Sequence, residues 1–305
     1  MKKIRIAVIG LGSLGSVHAR IFSKLETASL NAVCDIDENL AKSVAEELKI
    51  PYFNSYNDLL NIELDAVSIV TPTFLHHDIA KFFLERGIHV FIEKPITNTL
   101  KEASRLIKIA KSKNLIMQVG HVERFNSAIV ATEKLSDKPR FIECDRLGPF
   151  KPRVKDVGVV LDLMIHDIDI VLGLTKSRVK TIDAVGMKVL TNHEDIANAR
   201  IRFKNGTVCD LTASRVTNEA LRKIRIFQED CYISLDYMKQ EALIHRKKGG
   251  EIVSEKIDIK KEAPLEKELS SFIDCVAHHK KPVVSGVEAY EALKVALEII
   301  RKING

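Results

Sequence analysis

The sequence has no apolar run approaching the roughly 18 residues that cross a bilayer, so no membrane-spanning helix is expected. Its start also lacks the long apolar core and small-residue cleavage site of a secretory leader. After Lys2, Lys3 and Arg5 the apolar stretch is only Ile6 to Ile9 and ends in glycines, which reads as a first strand. Cysteine is sparse. The five, Cys34, Cys144, Cys209, Cys231 and Cys275, form no C-x-x-C pair. That argues against a disulfide framework or structural zinc and fits a reducing cytoplasm. No dense basic run is interleaved with aromatics, so nucleic acid is not an expected partner. Internal repeats, low-complexity tracts and long linkers are missing as well.

What is present is the balance of an ordinary globular chain. Hydrophobic residues make up 46% and charged residues 29%, which excludes a disordered chain. The 305 residues suggest two domains, at ~150 residues each. The net charge of +6 is mild and would help attract an anionic substrate or cofactor.

The first ~120 residues alternate strand and helix. Ile4–Ile9, Leu30–Cys34, Ala66–Val70, Ile88–Ile92 and Leu115–Val119 read as strands. Ser13–Leu25, Glu38–Leu48, His76–Arg86 and Leu100–Lys113 read as helices between them. Continuous apolar strands between amphipathic helices mean a parallel sheet covered on both faces, and right-handed crossovers make it doubly wound. Beyond residue 123 the pattern changes. Arg140–Arg146 reads as a strand and Val157–Leu174 as a strongly apolar helix. Strand-like segments follow at Val179–Val189, Asp195–Phe203, Thr207–Ser214, Lys223–Phe227, Cys231–Asp236 and Ala242–Arg246. Asn205-Gly206 is a hairpin signal, and Lys247-Lys248-Gly249-Gly250 is another turn. Helices at Leu265–His278 and Val287–Ile303 close the chain. The expected fold is an α/β Rossmann domain over 1–122 and an α+β domain with an open, mostly antiparallel sheet over 123–286, with the final helix, 287–305, packing back on the first.

Gly10-x-Gly12-x-x-Gly15 follows a strand and opens a helix, with Ser13 and Leu14 in the turn. One glycine makes the tight turn, one lets backbone approach a diphosphate, and one lets helix and strand pack closely. The helix N-terminus then favours the negative charge. Asp35 stands twenty residues after Gly15, where a carboxylate accepts both ribose hydroxyls and repels a 2′-phosphate. NAD is therefore expected rather than NADP. Read otherwise, Asp35 caps the helix after it.

Glu93-Lys94-Pro95 stands at the end of the strand Ile88–Ile92, where open α/β sheets bind their ligands. A lysine there can steer a substrate hydroxyl; alternatively it is a surface lysine before a proline. Asp162, His166 and Asp169 are spaced i, i+4 and i+7 in an apolar helix, which places them on one face. Burying three ionisable groups is costly unless they are paired or used, and a histidine beside a carboxylate can move a proton near neutral pH. The other reading is a satisfied buried histidine. No further ligand cluster accompanies them, so no metal is expected.

Together the Gly10/Gly12/Gly15 loop, Thr71-Pro72-x-x-x-His76, Glu93-Lys94-Pro95 and Asp162-x-x-x-His166 resemble the Gfo/Idh/MocA family of NAD(P)-dependent oxidoreductases, over essentially the whole chain. The resemblance implies that Lys94 orients the reacting hydroxyl, that His166 is the general acid/base and that Asp162 neighbours it in the substrate pocket. It places Thr71, Pro72, His76, Glu93 and Pro95 beside the cofactor and implies a cis Lys94–Pro95 bond. Motif spacing alone picks His76 over His77. It also implies homo-oligomers, dimers or tetramers, built in part on the open sheet.

Residues 120–126 and 162–169 are similar to a narrower group that oxidises the 3-hydroxyl of a UDP-linked amino sugar for lipid A sugar synthesis. On that reading Arg124, Arg153, Asp169 and Arg215 hold the substrate. Arg140, Arg146, Lys151 and Lys155 add basic charge nearby, and arginine forks suit a diphosphate. A solvated basic surface is the plainer alternative. Two rival functions stay open: a polyol or other sugar dehydrogenase of the same family, and a non-catalytic NAD-binding sensor.

Overall fold

The computed structural model describes residues 3–150 and 157–305. The chain divides into two units, Met1–His121 with Leu265–Tyr290 and Val122–Pro264 with Glu291–Gly305.

In the first unit each apolar run becomes a strand: β1 (Ile4–Ile9), β2 (Ala28–Cys34), β3 (Tyr52–Phe53), β4 (Ala66–Ile69), β5 (His89–Glu93) and β6 (Met117–Gly120). Helices α1 (Ser13–Lys24), α2 (Glu38–Leu48), α3 (Thr73–Leu84) and α4 (Leu100–Ser112) connect them. All pairs are parallel, in the order β3-β2-β1-β4-β5-β6. This is the doubly wound order whose direction reverses between β1 and β4, where such sheets open a crevice at the strands' carboxyl ends. Polar caps set the starts of α2 and α4. Asp37 accepts the Asn39 and Leu40 amides at α2, and Thr99 and Glu102 form a capping box at α4. β3 was not expected from the sequence; at two residues it is too short for a periodic signal.

The helix Pro264–His278 also counts with this unit from Leu265 onward. Its Leu269, Phe272, Ile273 and Val276 recur at helical spacing and join the core of Phe22, Val33 and Phe91. Gln118 Nε2 donates to the Glu268 carbonyl at 3.1 Å. The sequence reading placed this segment in the second domain, because chain order hides which sheet an apolar stripe will cover.

The second unit begins with a 3₁₀ turn, Val122–Phe125, and α5 (Ser127–Leu135). There follow β7 (Phe141–Leu147), a π-helical turn Val160–Met164, and α6 (Ile165–Thr175). The remaining strands are β8 (Val179–Met187), β9 (Ile196–Phe203), β10 (Val208–Ser214), β11 (Leu221–Phe227), β12 (Cys231–Asp236), β13 (Glu241–Lys248) and β14 (Glu251–Lys256). Eight strands form one sheet, β14-β13-β12-β11-β7-β10-β9-β8, antiparallel except for the parallel β7–β10 pair. Gly206 adopts φ +93° in the β9–β10 hairpin, a backbone that glycine reaches without a Cβ penalty.

Two elements here escaped the sequence reading. β14 is mostly exposed and polar on both faces, so it lacks alternation. α5 is short, and Asn126 caps it by accepting the Ala128 amide. The final helix, Gly286–Asn304, was expected to return to the first domain. Only its start belongs to the first unit, while Ala292, Val295, Ala296 and Ile299 complete the second unit's core.

Candidate active site

Gly10 adopts φ +87°, and a Cβ there would stand 2.7 Å from the Val70 carbonyl oxygen. A Cβ on Gly15 would meet the Gly10 carbonyl oxygen at 1.8 Å. Both glycines are therefore required by the fold itself. Gly12 is not: a Cβ there would face open space. It caps α1, whose first turn carries no acidic residue, and Ser13 and Leu14 beside it are exposed. First-turn amides have no intrahelical partner and the dipole favours an anion, so an open approach over Gly12 suits a diphosphate.

Asp35 follows β2 and ties the loop down. Its Oδ2 accepts the Leu11 amide at 2.6 Å and its Oδ1 accepts the Asp37 amide at 3.0 Å. The capping alternative goes to Asp37, whose Oδ1 accepts the α2 amides. A carboxylate offers about four acceptor positions, so Asp35 retains capacity for ribose hydroxyls. The loop and this carboxylate fit NAD. The neighbouring Cys34 thiol is pushed up to about 12 by burial and by Asp35 and Asp58, so it stays protonated.

β5 ends in Glu93, and the Lys94–Pro95 peptide is cis. Glu93 lies opposite Gly120, where a Cβ would come within 2.7 Å of its carboxylate. Glu93 Oε2 accepts the Lys94 amide at 3.2 Å. His76, buried on α3, joins two motifs: Nδ1 is 2.9 Å from the Pro95 carbonyl oxygen and Nε2 is 2.9 Å from that of Thr71. Burial draws its pKa down, while the two carbonyls and Glu93 pull the other way. His77 instead pairs with exposed Asp78 at 2.7 Å, which separates the two histidines on physical grounds.

Sequence reasoning missed His18. It is fully buried on α1, with Nδ1 3.0 Å from Ser68 Oγ and Nε2 3.4 Å from Glu93 Oε1. Its place on the inner face of α1, three residues past Gly15, was the available signal.

In the second unit, Asp162 sits in the π turn and His166 in the first turn of α6, both half-buried. Single π turns recur at functional sites. The wider turn also breaks the uniform α-helical spacing assumed for Asp162, His166 and Asp169.

Several residues expected to hold the substrate have partners within the protein. Arg124 and Asp169 face each other: Arg124 Nη1 donates to the Asp169 carbonyl at 3.4 Å, and its Nε lies 4.0 Å from Asp169 Oδ2. A Cβ on Gly173 would strike Arg124 Nη1 at 1.9 Å, so the guanidinium rests on that glycine. Arg215 is buried, and each of its three nitrogens is engaged by the protein: Nε by Asp195 Oδ1 at 2.7 Å, Nη1 by the Val157 carbonyl at 2.7 Å and Nη2 by Thr191 Oγ1 at 2.8 Å. Burial would raise the Asp195 pKa, but the amides of Val189, Leu190 and Thr191 and the Arg215 hydrogen bond outweigh it and hold the carboxyl well below the usual range. Arg146, counted among the diphosphate partners, is buried on Asp167 and Glu123. Arg153, Lys151 and Lys155 lie outside the described residues.

A glycine loop opening the first helix of a doubly wound parallel sheet, with a carboxylate after the second strand, is the architecture of an NAD-binding Rossmann domain. Residues 4–121 match the oxidoreductase family with an NAD-binding Rossmann fold, and residues 138–234 match the GFO/IDH/MocA C-terminal domain. The chain is 37% identical over 306 residues to UDP-N-acetylglucosamine 3-dehydrogenase of Acidithiobacillus ferrooxidans, covering 98% of this chain and 97% of that one. A solved structure of that enzyme matches with a TM-score of 0.94 at 38% identity, over 99% of this chain and 98% of that one. Identity to the scyllo-inositol 2-dehydrogenase (NAD(+)) of Bacillus subtilis is 29% over 317 residues, covering 97% of this chain and 92% of that one. The chain belongs to the Gfo/Idh/MocA family of NAD-binding oxidoreductases.

Proposed function

We propose that the chain oxidises the 3-hydroxyl of UDP-N-acetylglucosamine to a ketone with NAD. The observation that carries the substrate is the 37% identity, across 98% of the chain, to an enzyme of that name. The net charge of +6 favours an anionic nucleotide sugar.

Gly10, Gly12, Ser13, Leu14 and Gly15 hold the cofactor diphosphate at the start of α1, and Asp35 takes the ribose and disfavours a 2′-phosphate. Thr71, Pro72, His76, Glu93 and Pro95 shape the cofactor side of the site. Bound NAD supplies the hydride acceptor. Lys94 orients the reacting hydroxyl, and His166 takes its proton at an imidazole nitrogen as the carbonyl forms. Asp162 supports the charge that His166 gains. The product is a 3-keto nucleotide sugar, suited to later amination towards lipid A sugars. We place the enzyme in the cytoplasm as a homo-oligomer.

The inositol dehydrogenase match, 29% identical over nearly the full length, favours a second reading in which a free polyol is oxidised by the same residues. Nicotinamide reduction by the purified protein separates the two. The panel is UDP-N-acetylglucosamine, UDP-glucose, N-acetylglucosamine, glucose and myo-inositol, each with NAD or NADP and a carbonyl trap. Turnover with NAD and the UDP-amino sugar alone is expected. Turnover with myo-inositol instead would discard the nucleotide-sugar reading and keep the chemistry.

A further inference from the structure

Helix α6 is apolar around its circumference: Ile165, Ile168, Ile170, Val171, Leu172 and Leu174 leave no broad polar face. Such a helix has no preferred rotation, because turning it about its axis exchanges one aliphatic side chain for another. The π turn just before His166 widens the helix and shifts its phase. The rotation must then come from directional contacts, and α6 has two sets.

On one side Arg146 grips Asp167 with its fork, Nε to Oδ2 at 2.8 Å and Nη2 to Oδ1 at 2.9 Å, with both residues buried. Arg146 Nη1 also donates to Glu123 Oε1 at 2.9 Å. The Tyr237 hydroxyl donates to Asp167 Oδ1 at 3.3 Å. Asn126 Nδ2 links Glu123 Oε2 at 3.3 Å with the Tyr237 carbonyl at 3.1 Å. On the other side stands Arg124 against Asp169. At about 100° per residue, Asp167 lies about 100° to one side of His166 and Asp169 about 60° to the other. The histidine is bracketed.

We propose that Glu123, Arg146 and Asp167, opposed by Arg124 and Asp169, are positioning residues that fix the rotation of α6 and so the direction of the His166 imidazole. The proposal rests on the reading of His166 as the acid/base. It explains why Glu123, Arg124 and Asn126 stand together in sequence beside the second unit's first helix. A buried ion pair adds little net stability, since desolvation offsets its attraction. Apolar residues of equal volume can replace that stability, but they do not supply a direction.

The test uses the full chain and whichever substrate the unmodified protein oxidises. Arg146→Met alone leaves two buried carboxylates short of a partner and is expected to lower Tm. The triple variant Glu123→Gln/Arg146→Met/Asp167→Leu removes the buried charges together and is expected to keep Tm and NAD affinity. Its kcat should fall roughly tenfold to a hundredfold, the cost of a misplaced reacting group, with KM little changed. The NMR titration of the His166 ring, assigned by its loss in His166→Gln, should move as well. Arg146→Lys, which keeps the charge and loses the fork, should show the same two changes to a smaller degree.

Unmodified kcat and unmodified His166 titration in either the folded triple variant or Arg146→Lys would overturn the proposal. Full turnover by His166→Gln would instead overturn the acid/base reading.

Discussion

In the first unit every candidate residue named for the cofactor stands at the carboxyl end of a strand, on the turn after it or on the helix that follows, whereas in the second Asp162 and His166 sit inside an apolar helical segment. A turn advertises itself. Gly10 is glycine because its φ is +87°, and Gly15 because a Cβ would strike the Gly10 carbonyl. An ionisable residue on a buried helix is ambiguous, because function and structural pairing both put charges there. Of the acidic residues on α6, Asp167 and Asp169 meet arginines from β7 and the first 3₁₀ turn. The comparison teaches that motif spacing identifies a turn's role directly, while a helix charge is assigned only when its partner is known.

The strongest way to break this comparison is His166→Ala. If the second unit supplies the proton acceptor and the first holds NAD, turnover should fall by roughly a hundred- to ten-thousandfold, while the NAD dissociation constant stays the same. Stopped-flow or steady-state rates with parallel cofactor titration would decide it. A weakened NAD affinity with unchanged kcat would move His166 out of the proton-transfer role.

Arg215→Ala comes next. Breaking a buried pair from one side costs about 3–5 kcal/mol, and Asp195 would lose the guanidinium that pairs with it. The expected result is a large loss in denaturant midpoint. Arg200→Ala serves as the control, since its pair with Asp210 is exposed and such pairs are worth about 1 kcal/mol or less. If Arg215→Ala kept full stability and raised only KM, it would return to the substrate.

These two cases mark what was legible in the sequence. The parallel sheet and the glycine loop were readable because local backbone demands select particular residues at fixed spacing. The cis Lys94–Pro95 turn rested on resemblance alone. His18 was illegible, because its partners Ser68 and Glu93 are fifty and seventy-five residues away and only the folded sheet brings them to α1. The partners of Arg146 and Arg215 were illegible for the same reason. A basic residue near a candidate site looks available until the acid it meets is located, and Asp167 and Asp195 lie about twenty residues from them in sequence. The helix Pro264–His278 went to the wrong unit because an apolar stripe specifies burial and not the surface that buries it.

Asp35→Ser is the mildest test and it sharpens the first unit's side of the comparison. A serine hydroxyl can still accept the Leu11 amide, which now reaches Asp35 Oδ2 at 2.6 Å, so the loop should keep its shape and Tm should change little. What disappears is a negative charge that, on the proposed reading, faces the ribose. A 2′-phosphate carries charge of the same sign, and like-charge juxtaposition costs several kcal/mol, so removing the carboxylate should raise kcat/KM with NADP relative to NAD by at least about tenfold. The change should come mostly from better NADP use and partly from poorer NAD binding, since one hydroxyl cannot accept from both ribose hydroxyls as a carboxylate can. An unchanged ratio in a folded variant would mean that Asp35 only braces the glycine loop, and that cofactor choice is made elsewhere in the first unit.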